Sequence, residues 1–359
     1  MEGPSKLYCI HPIMLMYPAP IEGARKYIIE LSSFDPPLIV KDWRFAWAIA
    51  LLPGTFTAEE ALGIWSRDPD TAELGEEIWS IATRSEVIIP RDESRPELVR
   101  FDAWHSYGWS EASAYQEATR DYPFVKMDEP GAFAQDKARM ARYLEKAEVP
   151  SNYQTLPHEF SIHLRKIKDG ESANELLRAM RPEQRRGLDG LGLLFDVCFG
   201  ERARIDFNIQ GSFLRKSIPS GGARHPTEVF FAAFGGCALV PGIYHYNVES
   251  HSLHCIQSGE FYEEFESATF DLFKKFNDRP VALVAFTSLY ERAMWRYRDA
   301  RSWRAVLIDI GHAIMIFRTV LNAIGYRSYT YQKVRDREIC QLLKLNPVQQ
   351  TPLYVGTLV

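Results

Sequence analysis

The chain has 359 residues, of which 46% are hydrophobic and 25% charged, with a formal net charge of −5 and a pI near 6.0. That is enough chain for roughly two globular domains of about 150 residues each. It lacks the basic excess that neutralising a phosphate backbone demands, so nucleic acid is a poor expectation as a partner.

Five cysteines, Cys9, Cys198, Cys237, Cys255 and Cys340, are odd in number and scattered without a C-x-x-C pair. They argue for a reducing, cytoplasmic setting and against a metal or redox disulfide. No basic stretch leads into an apolar run at the start, and no segment reads as the roughly 18 to 20 apolar residues of a membrane span. The run Trp43 to Leu52 is short and interrupted by Arg44, so no membrane partner is expected. The aromatic content of 8 Trp, 17 Tyr and 21 Phe suits flat ligands, although large cores use the same residues.

Residues 1–92 read as a small α+β domain. Apolar segments at Tyr8–Met16 and Tyr27–Leu31 precede helical patterning over Trp43–Leu52. Thr57-Ala58-Glu59-Glu60 has the form of a capping box opening the next helix. A third helix around Glu76–Thr83 leads to the β-branched strand Glu86–Pro90. Helix, helix, helix, strand is winged-helix-like. Asp68, Asp70, Glu73, Glu76 and Glu77 put negative charge where a DNA-reading helix would need positive charge. The arrangement resembles PqqD-like recognition elements, which implies leader-peptide binding by strand addition.

Residues 93–154 read as a connecting region punctuated by Pro96, Pro123, Pro130 and Pro150, with helices at Ser110–Thr119 and Phe133–Lys146. Residues 155–359 alternate helices and strands. Helical patterning covers Ala173–Met180 and Leu188–Phe199; strands are expected at Glu228–Phe234 and Pro280–Ser288, with a hairpin from Gly242–Tyr246 to Ser252–Ile256. Trp303, Leu307, Ile310, Ile314, Phe317, Leu321 and Ile324 recur at spacings of four and three, which predicts one apolar face along a long helix ending at Gly325.

The segment Arg215-Lys216-Ser217-Ile218-Pro219-Ser220-Gly221-Gly222-Ala223-Arg224-His225-Pro226-Thr227-Glu228 concentrates glycine, hydroxyls and cations directly before a strand. Adjacent glycines let backbone approach a planar ligand, and N–H groups, hydroxyls and cations can hold a phosphate or a heterocycle edge. His245, His251, His254 and Cys255 are close in sequence, but they flank a hairpin turn and read as strand residues, so no metal is expected.

Three motifs in order, Arg215–Glu228, Pro241–Tyr246, and Trp295-Arg296-Tyr297-Arg298 through Trp303-Arg304 to Asp309-Ile310-Gly311-His312, resemble the SagB-type peptide dehydrogenases of the nitroreductase-like flavoproteins. The resemblance implies an α/β/α sandwich of α+β class that binds FMN and forms a homodimer through long helices. It implies oxidation of thiazoline or oxazoline rings in a ribosomally made precursor peptide to azoles, with oxygen reoxidising FMN and a cyclodehydratase as partner.

Aromatising an azoline removes a proton from one carbon and a hydride from its neighbour, so a base must stand beside the hydride acceptor. Where the family shows a Lys-Tyr pair, this chain has Arg296 and Tyr297. A guanidinium does not deprotonate, so the resemblance leaves Tyr297 as the proton acceptor, with Arg296 acting on the phenol or on substrate. It places Pro219, Ser220, Gly221, Gly222 and His225 against the flavin ring and Arg215 and Ser217 toward phosphate or ribityl oxygens. The family's Arg-x-Ser phosphate contact is represented by Arg165-Lys166-Ile167-Lys168, without the hydroxyl. Two other readings are a flavin-dependent reductase of dehydroamino acids or nitro compounds and a peptide-binding scaffold with an inactive flavin fold.

Overall fold

The structure is a computed structural model and describes residues 5–18, 26–31, 37–92, 95–207, 211–275 and 277–359. The chain divides into two compact units, Met1–Val125 and Lys126–Val359.

In the first unit, strands β1 (Leu7–Ile10), β2 (Leu15–Pro18), β3 (Tyr27–Glu30) and β4 (Leu38–Val40) precede helix α1 (Trp43–Ala50). Then follow β5 (Phe56–Thr57), α2 (Ala58–Trp65), α3 (Gly75–Arg84), β6 (Ile88–Pro90), α4 (Pro96–His105) and α5 (Ser110–Ala118). β1 lies between β5 and β6 in one antiparallel sheet, and β2, β3 and β4 form another. The apolar segment Tyr8–Met16 is therefore two strands, broken by a turn in which Met14 N–H donates to the His11 carbonyl at 3.0 Å. The capping box is formed: Glu60 N–H donates to Thr57 Oγ1 at 3.1 Å and Thr57 N–H to Glu60 Oε2 at 2.7 Å. Phe56, Trp65, Ile78 and Ile88 build the core, and the buried Trp65 indole donates to the Ala48 carbonyl at 2.8 Å, leaving no polar cost for burying it. α4 lay outside the sequence expectation; Pro96 starts it, where a missing N–H costs nothing.

The second unit runs α6 (Ala132–Leu144), β7 (Phe160–His163), α7 (Ala173–Ala179), α8 (Pro182–Arg186), α9 (Leu188–Phe199), β8 (Ala203–Phe207), β9 (Gly211–Arg215), β10 (Thr227–Ala233), β11 (Gly242–Asn247) and β12 (Ser252–Ser258). It continues with α10 (Tyr262–Ala268), β13 (Ala282–Leu289), α11 (Glu291–Arg296), α12 (Trp303–Ala323), β14 (Thr330–Tyr331), α13 (Asp336–Leu342) and β15 (Gln350–Leu358). An antiparallel seven-stranded sheet has the order β14-β15-β13-β10-β11-β12-β7, and β8 and β9 form a separate hairpin. Alternate residues of β10 serve two cores. Val229, Phe231 and Ala233 meet Phe195 and Phe199 of α9 and Ile314 and Phe317 of α12. Phe230 and Ala232 meet Phe265 of α10 and Ile339 of α13. Helices thus cover both faces, which is why β10 and β13 read as unbroken apolar runs.

The stripe on α12 needs one correction. Ile310, Ile314, Phe317, Leu321 and Ile324 are buried, whereas Trp303 and Leu307 are exposed. A four-three spacing drifts by about 20° per heptad on a straight helix, so the first two members turn off the buried face, where Val306, Asp309 and Ala313 lie instead. By length and composition Ala300–Ala323 could cross a membrane, a property that the search for an unbroken apolar run missed. Its core-facing side, however, packs on the sheet.

Candidate functional site

Between β9 and β10 the chain reverses through a single helical turn at Gly221–Ala223, with left-handed φ at Gly222 (+59°), Ala223 (+53°) and His225 (+44°). For alanine and histidine this backbone costs about 1–2 kcal/mol each, so surrounding bonds must fix it. Asp309 of α12 supplies two of them: Ser220 Oγ donates to Oδ2 at 2.6 Å and Gly221 N–H to Oδ1 at 3.1 Å. His225 is held at three points. Its N–H donates to Ser220 Oγ at 2.8 Å, its Nε2–H to the Leu214 carbonyl at 3.0 Å, and its carbonyl accepts from Arg292 Nη1 at 2.9 Å. Burial and the nearby Lys216 charge push the His225 imidazole down to about 3, so it is neutral. Burial raises the Asp309 carboxyl despite these bonds.

Beneath the turn lies a buried charged cluster. Glu228 of β10 accepts from Arg292 Nη1 at 2.5 Å and from His245 Nε2 at 2.9 Å. Burial alone would raise its carboxyl, but Arg292 and His245 prevail and hold it at about 2. Arg292 also donates from Nε to the Ser151 carbonyl at 2.8 Å, while its Nη2 and His245 Nδ1 are buried with no hydrogen-bond partner among the described residues. The Lys216 amine is buried beside this cluster and pushed down to about 8. It lines a small cavity with Ser220, His225, Thr227 and Asp309.

Above the turn stands Tyr297, just past the end of α11. A Cβ built on Gly222 would lie 2.0 Å from its hydroxyl, so only glycine leaves room for the phenol there. The structure thus brings together Gly222 and Tyr297, which are far apart in sequence. Arg296 turns to Asp136 of α6, reaching its two oxygens at 2.9 and 3.1 Å, with both side chains about 15% exposed. Arg224 is buried, its guanidinium 4.3 Å from the Phe213 ring centroid and 5.8 Å from that of Trp295.

The two hydroxyls of the motif differ. Ser220 spends its proton on Asp309. Ser217 Oγ accepts from Arg202 Nε at 3.3 Å and lies exposed, as does Arg215. Arg202 is itself held by Asp196 of α9, at 3.3 Å, and Asp196 accepts the Ile167 N–H at 2.7 Å. Gly200 permits this approach, since a Cβ there would meet Asp196 Oδ1 at 2.2 Å. The segment containing Arg165 is therefore tied to Ser217 through two side chains, but the Arg165 guanidinium pairs with Glu171 at 3.2 Å rather than with the turn. Pro219 is exposed on the approach to Ser220.

Exposed cations, an outward hydroxyl and a glycine backbone fit a phosphorylated planar cofactor by their donor chemistry. Among the described residues no group of three or more His, Cys, Asp or Glu could hold a metal ion. His245 serves Glu228, His251 binds the Tyr246 hydroxyl at 2.7 Å, and His254 stacks on His158. Sequence reasoning missed Asp136, Arg202, Asp196 and Arg292, and it did not see that Asp309 anchors the turn. An acid inside an apolar helical stripe was the available signal for Asp309.

No protein-family model matches the chain. It is 29% identical over 191 residues to the trifolitoxin-processing protein TfxB of Rhizobium leguminosarum bv. trifolii, covering 50% of this chain and 51% of that protein. It is 28% identical over 141 residues to a nitroreductase-like protein of Methanocaldococcus jannaschii, covering 39% of this chain and 70% of that protein. The chain spans about half the length of the trifolitoxin-processing relative. A crystal structure of a nitroreductase-like protein of Anabaena variabilis superposes with a TM-score of 0.50 at 20% identity, covering 61% of this chain and 45% of that one. The fold is α+β and nitroreductase-like.

Proposed function

We propose that the chain is an FMN-dependent oxidoreductase of peptide maturation that oxidises azoline rings in a precursor peptide to azoles. The observation that carries the reading is the Tyr297 hydroxyl packed against Gly222, which puts a group able to exchange a proton at the turn that follows the exposed Arg215 and Ser217. Arg215, Ser217 and the Arg202 bonded to it would hold phosphate or ribityl oxygens, and the Gly221–Gly222 backbone would face the ring. FMN, when bound, supplies the hydride acceptor. Tyr297, as its phenolate, would take the proton from the neighbouring carbon while the cofactor takes the hydride, so the ring would lose two hydrogens; oxygen with two protons would accept the electron pair as hydrogen peroxide. Similarity to a protein that processes trifolitoxin supports a peptide substrate.

The likeness to the nitroreductase-like protein of M. jannaschii favours a second reading, in which hydride runs from the cofactor to a dehydroamino acid or nitro compound. Incubating the FMN-loaded protein with an azoline peptide separates the two. Loss of two hydrogen masses per ring, slowed by about 100-fold or more in Tyr297→Phe, supports the dehydrogenase; an unchanged peptide together with reduction of a nitroarene supports the reductase. We further assign leader-peptide engagement to the first unit. Homodimerisation is assigned to the exposed Trp303, Leu307, Ile308 and Met315 of α12, which light scattering of Leu307→Glu would test by loss of the dimer.

A further inference from the structure

Tyr297 stands just past the end of α11, a helix of six residues, too short to hold its own last turn still. Its N–H donates to the Ala293 carbonyl at 2.9 Å, and beyond that bond the backbone is extended, with φ −113° and ψ 95°. The place of the phenol on Gly222 must therefore be fixed by its neighbours in the chain. Arg292, Trp295, Arg296 and Arg298 all reach one stretch, α6 and the residues just after it. Arg296 Nη2 donates to both oxygens of Asp136, at 2.9 and 3.1 Å. The Arg298 guanidinium lies 3.9 Å from the centroid of the Tyr143 ring. Trp295 meets the same ring edge-on, with centroids 6.3 Å apart, and its indole N–H donates to the Ala147 carbonyl at 3.2 Å. Arg292 closes the series by donating from Nε to the Ser151 carbonyl at 2.8 Å.

Asp136 and Tyr143 share one face of α6, about 10 Å apart along its axis, and they hold the residues on either side of Tyr297. Arg139, one turn along α6, bonds the same carboxylate and so keeps it in place for Arg296. We propose that α6 and residues 147–151 are the element that positions Tyr297, with Asp136 and Tyr143 as its positioning residues. The inference rests on the reading of Tyr297 as the proton acceptor. It turns a stretch that reads in sequence as a connection into a part of the site.

The test replaces Tyr297 by 3-fluorotyrosine and reads its fluorine resonance, which needs neither FMN nor peptide substrate. Asp136→Ala with Tyr143→Ala should move or split the native line. Tyr143→Phe, which keeps the ring that Arg298 meets, should leave it in place. Phe265→Leu, in the core beneath α10, is the control: it loosens packing elsewhere and should not move the resonance. In the azoline assay the double alanine variant should lower kcat by about tenfold or more, with KM changed by less than about threefold. Tyr143→Phe should stay within about twofold of the native kcat. An unmoved resonance in the double variant, an equal shift in Phe265→Leu, or a native kcat in the double variant overturns the proposal. Should the double variant not fold, each single alanine variant is judged by the same outcomes. Should the resonance move as expected while the native protein oxidises no azoline, the positioning assignment stands and the proton-acceptor reading falls.

Discussion

Replacing Gly222 by alanine tests the relation between the turn and Tyr297 directly. The new Cβ would sit 2.0 Å from the phenol oxygen and 3.0 Å from Cζ. Optimal non-bonded contacts lie near 3.5 Å, so the hydroxyl must retreat by about 1.5 Å. Separately, the φ of +59° costs alanine about 1–2 kcal/mol. Tyr297 meets the intruding carbon with the end of a side chain, which rotates away, so the stability loss should stay near this backbone cost of about 1–2 kcal/mol. The rate should suffer far more, because a misplacement of about 1 Å at a reacting group costs about 100-fold. Urea unfolding and single-turnover azoline oxidation on the native protein, Gly222→Ala, Tyr297→Phe and the double variant give a complete cycle. In the Tyr297→Phe background alanine should still lower stability but should slow the reaction no further. Equal slowing in both backgrounds would refute the placement of the phenol on the glycine.

Acid sensitivity should appear in two stages. His225 has a folded value depressed to about 3, so its contribution is complete above about 6.5 and is lost as pH falls through that value toward 3. Glu228, depressed to about 2, contributes about 3 kcal/mol above about 4.5 that is lost as pH falls from there to 2. Urea unfolding at pH 7.5, 6 and 5 should show a shallower decline for His225→Asn, which tolerates the left-handed backbone; an unchanged slope counts against the assignment. Arg292→Met leaves Glu228 short of its main partner and should destabilise by about 3–5 kcal/mol, with recovery in Arg292→Met/Glu228→Gln by thermal denaturation. Lys216 has a depressed value of about 8, so below that pH its charge works against folding. Lys216→Met should therefore raise the thermal midpoint at pH 7 while weakening FMN uptake measured by fluorescence titration. Thr57→Ala removes the capping box of α2 and should cost about 1 kcal/mol, seen by calorimetry in the transition of the first unit.

The elements with strong local signals were legible. Thr57 and Glu60 announced α2, and Leu188–Phe199 predicted α9 to the residue, because caps and apolar period are local properties. The hairpin of β8 and β9 was missed; Ala203–Phe207 mixes charge with apolar residues, and its pairing with Gly211–Arg215 depends on a partner strand. The glycine turn was legible as an irregular loop directly before a strand, since adjacent glycines mark backbone that a side chain would not tolerate. Its supports were not. Asp136 and Arg292 act at sequence distances of 160 and 64 from Arg296 and Glu228, and nothing near them marks the partner. The donation of Ser220 to Asp309 and the acceptance by Ser217 from Arg202 were equally hidden, because hydrogen-bond direction is decided by neighbours that only folding delivers.

Residues 350–358 form an inner strand, with β15 lying between β14 and β13. A nascent chain that has already made the glycine turn, Tyr297 and Asp309 still has β13 open along one edge until these residues leave the ribosome. That edge runs through Ala282–Leu289, buried almost throughout in the finished protein. Ligand loading is thus expected to follow translation rather than accompany it, and partly made chains display an apolar, unpaired strand of the kind that chaperones hold and aggregates recruit.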